Sequence, residues 1–398
     1  MKDKELVILA YSGGLDTSVA IPWLKENYNA EVITVTADLG QDSVDNDLKE
    51  KAHKAGALRS YIIDGKDTFI DEFVWPSLRA SAIYEGQYPL ATALGRPLIA
   101  RYLVEIALKE GGTAIAHGCT GKGNDQVRID VGVATLAPQL RIIAPAREWG
   151  MDREQEIEYG EKRGLQLPVT RKSLYSIDEN IWGRSIESGP LEDPWHEPPE
   201  EIYSWTRSIT QAPDEPTYVE IDFIKGVPVA LDGKSLSGVD LVTKLNSLAG
   251  SNGIGRLDHL ENRLIGIKSR EVYESPAAIV LHLSHAALET LTLVKEQQRF
   301  KAFASQQYSD MVYNGLWYSS HRRDLDVYIS STQEYVTGKI RVKLQKGSCV
   351  VVGRSSPNAL YDYELATYDE SDRFDHSSAE GFIKLFGLPY KTQTLRQG

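Results

Sequence analysis

Two short loops hold most of the side chains able to do chemistry. The first, Tyr11-Ser12-Gly13-Gly14-Leu15-Asp16-Thr17-Ser18, directly follows an apolar strand-like run and directly precedes an amphipathic stretch. A helix starting there leaves backbone N–H groups unpaired and presents the positive end of its dipole, which suits a phosphate. Gly13 and Gly14 let the backbone approach an anion with no Cβ in the way, and Ser12, Thr17 and Ser18 add hydroxyl donors. Taken alone, these residues describe an ordinary Ser-Gly-Gly turn with Asp16 as a helix cap. Their order at a strand-to-helix junction favours the anion site.

The second loop runs from His117 to Arg128 and also follows an apolar run. Gly118, Gly121 and Gly123 expose backbone donors, Lys122 is a point charge for phosphate, and Arg128 carries a planar fork that matches a carboxylate. Thr120, Asn124 and Asp125 add further donors and acceptors. A flexible glycine-rich turn would account for the glycines but not for phosphate-type and carboxylate-type groups within twelve residues.

The elements around these loops set the expected architecture. Leu6 to Tyr11, Thr17 to Tyr28, Glu31 to Ala37 and Val44 to Ala55 alternate strand-like and helix-like patterns, with further strands at Ser60 to Ile63 and Thr113 to Ala116 and a helix over Leu98 to Lys109. This predicts an α/β fold whose N-terminal part is a parallel sheet, with ligands at the loops after the strands' carboxyl ends. Pro22 is expected to distort the first helix.

From Gly189 to Pro216, six prolines predict a long irregular connection ordered by Trp195 and Trp205. Tyr218 to Ile224 and Val227 to Leu231 read as a hairpin around Lys225 and Gly226, and Ser237 caps a helix ending near Gly250. Ser275 and Pro276 open a helix expected to reach about Phe303. Strand-like runs at Asp326 to Ser331, Lys339 to Gln345 and Ser348 to Val352 complete an α+β C-terminal part. Ser377 and Glu380 form a capping-box pattern before an apolar helix expected to end at Gly387 and Pro389. The expected division is 1–168, 169–375 and 376–398, the last either folding back on its own domain or reaching a neighbouring subunit as an arm.

The chain has 398 residues, with 44 Lys plus Arg against 56 Asp plus Glu, a net charge of −12. An acidic chain is poorly suited to nucleic acid, so none is expected as a partner. No apolar run approaches the roughly 20 residues of a membrane span, and neither a membrane nor a secretory signal is expected. Two isolated cysteines, Cys119 and Cys349, argue against a disulfide framework or a cysteine zinc site and for the reducing cytosol.

Neither the G-x-x-x-x-G-K-[ST] loop nor the G-x-G-x-x-G fingerprint is present, because Gly123 follows Lys122 and Gln126 stands where the third glycine would be. The first loop instead matches the S-G-G-x-D-[ST]-[ST] signature of the ATP pyrophosphatases, the PP-loop superfamily. With the second loop, and with the segments 88–97, 176–185, 255–263 and 266–276 in the same order, the chain resembles the argininosuccinate synthases over nearly its whole length.

The resemblance implies an adenine nucleotide alpha hydrolase-like N-terminal domain, a synthetase domain and a helical oligomerisation arm. It implies ATP at Ala10, Tyr11, Ser12, Gly13, Gly14, Leu15, Asp16, Thr17, Ser18, Ala37 and Gly118. Citrulline falls to Tyr88, Thr92, Asn124, Arg128, Ser176, Ser185, Glu261 and Tyr273, and aspartate to Thr120, Asn124 and Asp125. The family often carries Ser or Thr one place after Thr92, where this chain has Ala93.

The implied reaction is formation of citrullyl-adenylate with release of pyrophosphate, then displacement of AMP by aspartate, a step of arginine biosynthesis in the cytoplasm by a homotetramer. Mg²⁺ is expected with the triphosphate, held mostly by phosphate oxygens and water. No metal cage and no general base can be named from the sequence. The alternatives are an RNA-modifying enzyme that adenylates a base before sulfur transfer, and a nucleotide sensor without chemistry. The first usually needs a cysteine pair and a basic face, and the second has no use for the amino-acid-type groups of the second loop.

Overall fold

The computed structural model describes residues 4–42, 44, 47–165, 167 and 174–398, so the expected boundary at 168/169 lies outside the described residues. The chain opens with β1 (Glu5–Ala10), α1 (Leu15–Tyr28), β2 (Ala30–Asp38), α2 (Leu48–Lys54) and β3 (Arg59–Asp64). Then come α3 (Ala91–Glu110), β4 (Ala114–Ala116), α4 (Asn124–Leu136), β5 (Arg141–Ile143) and α5 (Arg153–Glu161). The strands form one parallel sheet in the order β3-β2-β1-β4-β5.

Val7, Ile8 and Leu9 of β1 are wholly buried, as expected of a strand covered on both faces. β1 lies between β2 and β4, so chain order reverses there and a crevice opens beyond the strands' carboxyl ends. The first loop leaves β1 and the second leaves β4, which puts both at that crevice. Helix α1 runs unbroken through Pro22. Ile21 and Leu24 on either side are wholly buried, and that packing holds the turn in which proline supplies no N–H.

The second half adds β6 (Ser176–Asn180), β7 (Gly183–Glu187), β8 (Thr217–Ile224), β9 (Val227–Leu231), β10 (Lys234–Ser235), α6 (Gly238–Ser251), β11 (Arg256–Asn262) and β12 (Lys268–Glu274). It ends with α7 (Pro276–Thr292), α8 (Lys295–Tyr313), α9 (Ser320–Thr332), β13 (Gly338–Gln345), β14 (Ser348–Ser355) and α10 (His376–Gln397). Two antiparallel sheets result, β11-β12-β7-β6 and β10-β9-β8-β13-β14. The expected hairpin is β8–β9, where Lys225 and Gly226 both take positive φ, 49° and 78°, the pair of values a tight two-residue turn requires.

The β6–β7 turn is tied to the N-terminal half. Ile181 N–H donates to Leu39 O at 2.8 Å, Asn180 Nδ2 to Ala91 O at 2.7 Å and Trp182 Nε1 to Pro89 O at 3.0 Å. These bonds bring β6 and β7 over the crevice.

Besides the helix through Pro22, four expectations are corrected. The helix from Pro276 does not reach Phe303: Leu293 and Val294 are extended, and the Gln297 side chain accepts from Val294 N–H to start α8 afresh. Asp326 to Ser331 is helical, because Ser319 caps α9 and Ile329 and Thr332 turn inward three apart. Trp195 is 95% exposed and orders nothing. The connection is held instead by the buried Glu274 carboxylate, which accepts from the N–H groups of Ser204, Trp205 and Thr206. Finally, α10 continues through Gly387 and Pro389, and Asp375 caps it by accepting from Ser377 N–H at 3.0 Å.

Candidate active site

A cleft of about 1000 Å³ opens at the crevice between the two halves. Of the residues expected at ATP, Ala10, Tyr11, Ser12, Gly14, Leu15, Asp16, Thr17, Ala37 and Gly118 line it. Gly13 and Ser18 do not line it, Gly13 being half-buried and Ser18 buried. Gly13 has φ +74°, and a Cβ there would meet Leu48 Cδ1 at 2.4 Å, so both conformation and space require glycine. Gly14 N–H donates to Ser12 Oγ at 3.3 Å, and Ser12 Oγ lies 3.2 Å from Thr17 Oγ1. The loop is therefore pre-folded around its own hydroxyls ahead of the free N-terminus of α1. Ser18 is buried, 3.4 Å from the Tyr11 hydroxyl.

Gly118 joins the two loops, since a Cβ there would come within 3.0 Å of Thr17 Cγ2. His117, wholly buried, accepts from Cys119 N–H at 3.1 Å and meets Asp130 Oδ1 at 2.7 Å, which fixes the start of the second loop. Thr120 and Lys122 are exposed and do not line the cleft. Glu156, buried in α5, is pushed up to about 8 by burial and by the Asp16 carboxylate beside it.

Tyr88, Thr92, Asn124, Arg128, Ser176, Ser185, Glu261 and Tyr273, the expected citrulline set, all line the cleft, as does Asp125. The Tyr88 ring stacks on Tyr273 with centroids 4.2 Å apart, and its hydroxyl accepts from Thr92 N–H at 3.0 Å and lies 2.8 Å from Thr92 Oγ1. Tyr273 donates to Glu261 Oε2 at 2.7 Å. Ser185 donates to Asp178 O at 3.3 Å across the β6–β7 pair. Thr92 therefore faces the cleft itself, while Ala93 is wholly buried.

Further charged groups of the cleft, given no role by the sequence reading, pair with these residues. Arg96, one turn after Thr92, donates through Nη2 to Asp125 Oδ2 at 2.8 Å and also to Asp178. Arg128 Nη1 donates to Asp125 Oδ1 at 3.0 Å. Burial opposes charge on Asp125, but these two guanidiniums hold it down at about 2. Burial, together with the nearby Asp125, pushes Asp178 up against the pull of Arg96. Arg263, at the β11–β12 turn, pairs with Glu187 and with Glu271, the latter at 2.5 Å. The cleft thus sets guanidiniums against carboxyl groups, the donor and acceptor types that the two ends of a zwitterion call for. Tyr313, outside the lining, touches three of its members. Only the folded chain reveals these pairings, because the partners lie far apart in sequence, Arg96 with Asp178 and Arg263 with Glu187 among them.

Comparison with known proteins gives the family. The Arginosuccinate synthase N-terminal HUP domain matches residues 6–166, and the Arginosuccinate synthase C-terminal domain matches 175–393. Argininosuccinate synthase of Dehalococcoides mccartyi is 57% identical over 99% of this chain and 97% of its own length. That of Trichodesmium erythraeum is 56% identical over 96% of each chain, and that of Symbiobacterium thermophilum 54% identical over 98% of this chain and 97% of its own. The chain belongs to the argininosuccinate synthase family, ligases that form a carbon–nitrogen bond.

Proposed function

We propose that the chain joins citrulline to aspartate, giving argininosuccinate, AMP and pyrophosphate through a citrullyl-adenylate. The ureido oxygen of citrulline attacks the α-phosphorus of ATP, and the bond to the bridging oxygen breaks as pyrophosphate leaves. The aspartate amine then attacks the ureido carbon, forms the new C–N bond, loses a proton and expels AMP. One observation carries this reading: the anion-suited loop after β1 and a pocket of paired guanidiniums and carboxylates open into the same cleft.

In this reading Ala10 to Ser18, Ala37 and Gly118 hold ATP, with the N-terminus of α1 and the Ser12 and Thr17 hydroxyls at its phosphates. Arg128, Ser176 and Ser185 take the citrulline carboxylate, Glu261 its ammonium, and Tyr88, Thr92, Asn124 and Tyr273 complete the pocket. Asn124 and Asp125 receive aspartate, and Thr120 would have to move inward to join them. Arg96 and Arg128 keep Asp125 ionised, ready for the substrate's ammonium. Catalysis then rests on positioning and fixed charges.

Among the described residues no group of three or more His, Cys, Asp or Glu is arranged to hold a metal. The donors beside the first loop are hard oxygens, which fits Mg²⁺ arriving with the triphosphate and meeting Asp16. When bound, the ion would neutralise phosphate charge. The alternative of sulfur transfer to RNA is disfavoured, because burial pushes both the Cys119 and Cys349 thiols up to about 12, leaving them un-ionised at neutral pH.

We further propose a nucleotide-binding unit over 1–168, a citrulline- and aspartate-binding unit over 169–375, and an arm over 376–398 that assembles a homotetramer working in the cytoplasm. The exposed apolar face of α10 supports the arm. Among the described residues no helix is long and apolar enough to cross a membrane. The test is to incubate ATP with citrulline and aspartate, omit each in turn and identify the nucleotide product. AMP and pyrophosphate should form only with both amino acids; ADP, or AMP formed without them, would overturn the reading.

A further inference from the structure

Tyr313 is the last residue of α8, is wholly buried and stands 52 positions after Glu261. Its hydroxyl donates to Glu261 Oε1 at 2.5 Å and accepts from Asn124 Nδ2 at 2.7 Å. Its backbone carbonyl accepts from Arg128 Nε at 2.9 Å, and the Arg128 guanidinium lies 4.8 Å from its ring centroid. Its ring is stacked on Tyr84, centroids 3.6 Å apart and planes 5° from parallel. Tyr84 is fixed in turn by donating to Asn262 O at 2.8 Å.

A buried tyrosine is ordinarily explained by packing. Packing accounts for the ring but not for a hydroxyl and a carbonyl that both engage residues of the cleft. Asn124 is held at both ends, because its Oδ1 also accepts from Leu264 N–H at 3.0 Å. Its amide is thereby oriented, with one N–H and one lone pair left over. Glu261 has one oxygen on Tyr313 and the other on Tyr273. Arg128 is fixed between the Tyr313 carbonyl and Asp125.

We propose that Tyr313 is a positioning residue of the citrulline pocket, setting the orientations of Asn124, Arg128 and Glu261 before the substrate arrives. The inference rests on the citrulline reading given under Proposed function and adds to it a residue that touches no substrate. A ligand that finds these three groups already oriented loses less affinity to ordering them. The Tyr313 hydroxyl therefore bears on citrulline affinity while leaving the first loop untouched.

The test is Tyr313→Phe in the full chain, which keeps the ring, the stack on Tyr84 and the carbonyl and removes only the hydroxyl. Calorimetric titration with citrulline should show about tenfold weaker binding, the scale of a hydrogen bond to a charged group. ATP affinity should stay at the wild-type value, and the thermal midpoint should fall by no more than a few degrees, the loss of one buried hydrogen bond. In a Glu261→Gln background the effect of Tyr313→Phe should shrink, because the two groups act together. Wild-type citrulline affinity in Tyr313→Phe would overturn the proposal. So would a joint loss of ATP affinity, citrulline affinity and thermal midpoint, the mark of a purely structural residue. Failure of the wild-type chain to bind citrulline would overturn the underlying reading, and this one with it.

Discussion

Arg128 shows how much one side chain is asked to do. Its Nε bonds to the Tyr313 carbonyl, its Nη1 to Asp125, and its plane lies over an aromatic ring. An ammonium at the end of a lysine could satisfy one of these contacts but not the planar set. Arg128→Lys should therefore raise the citrulline KM by about 10- to 100-fold, the range for losing a hydrogen bond to a charged group. Steady-state kinetics with citrulline varied at saturating ATP will check this, and an unchanged citrulline KM would remove Arg128 from the pocket. Arg128 was legible in the sequence because it closes a loop already crowded with glycines and polar groups. Arg96 stands in the segment 88–97 but drew no role there, because its partners Asp125 and Asp178 are distant in sequence and only the fold brings them to helix α3.

Among the elements, the N-terminal strands and the first helices were readable because β-rich runs and amphipathic stretches alternate with glycine turns between them. The break between α7 and α8 was not, since Leu293 and Val294 interrupt an apolar pattern without proline or glycine. Helix α7 also buries His282, whose pKa falls to about 3 through burial and the proximity of His285 and Lys301. The unfolded chain takes up a proton at this site near the ordinary value of 6.5, but the folded chain does not until about 3. The stability this site contributes is thus fully present above pH 6.5 and is lost progressively as pH falls towards 3. Its slope is at most about 1.4 kcal/mol per pH unit, that of one proton. Urea unfolding at a series of pH values should show a shallower acid slope for His282→Gln than for wild type. Equal slopes would mean that His282 titrates normally in the folded chain.

For the molecule as a whole, Phe382, Ile383, Leu385, Phe386, Leu388 and Tyr390 on α10 are each more than half exposed. A contiguous apolar surface of this kind calls for a cover. If it is an assembly arm, deleting residues 376 to 398 should lower the mass measured by light scattering; a subunit number equal to that of the full chain would rule the arm out. The sequence showed the apolar helix but not its length, because Gly387 and Pro389 look like a stop while the helix continues to Gln397.

On the proposed mechanism the cleft makes an adenylate of citrulline before aspartate acts. The direct measurement is exchange of labelled pyrophosphate into ATP with aspartate left out. Exchange should require citrulline and proceed without aspartate, since the proposed adenylate step is complete in itself and would run backwards when pyrophosphate is supplied. Exchange that needs both amino acids, or that occurs with neither, would overturn the adenylate mechanism.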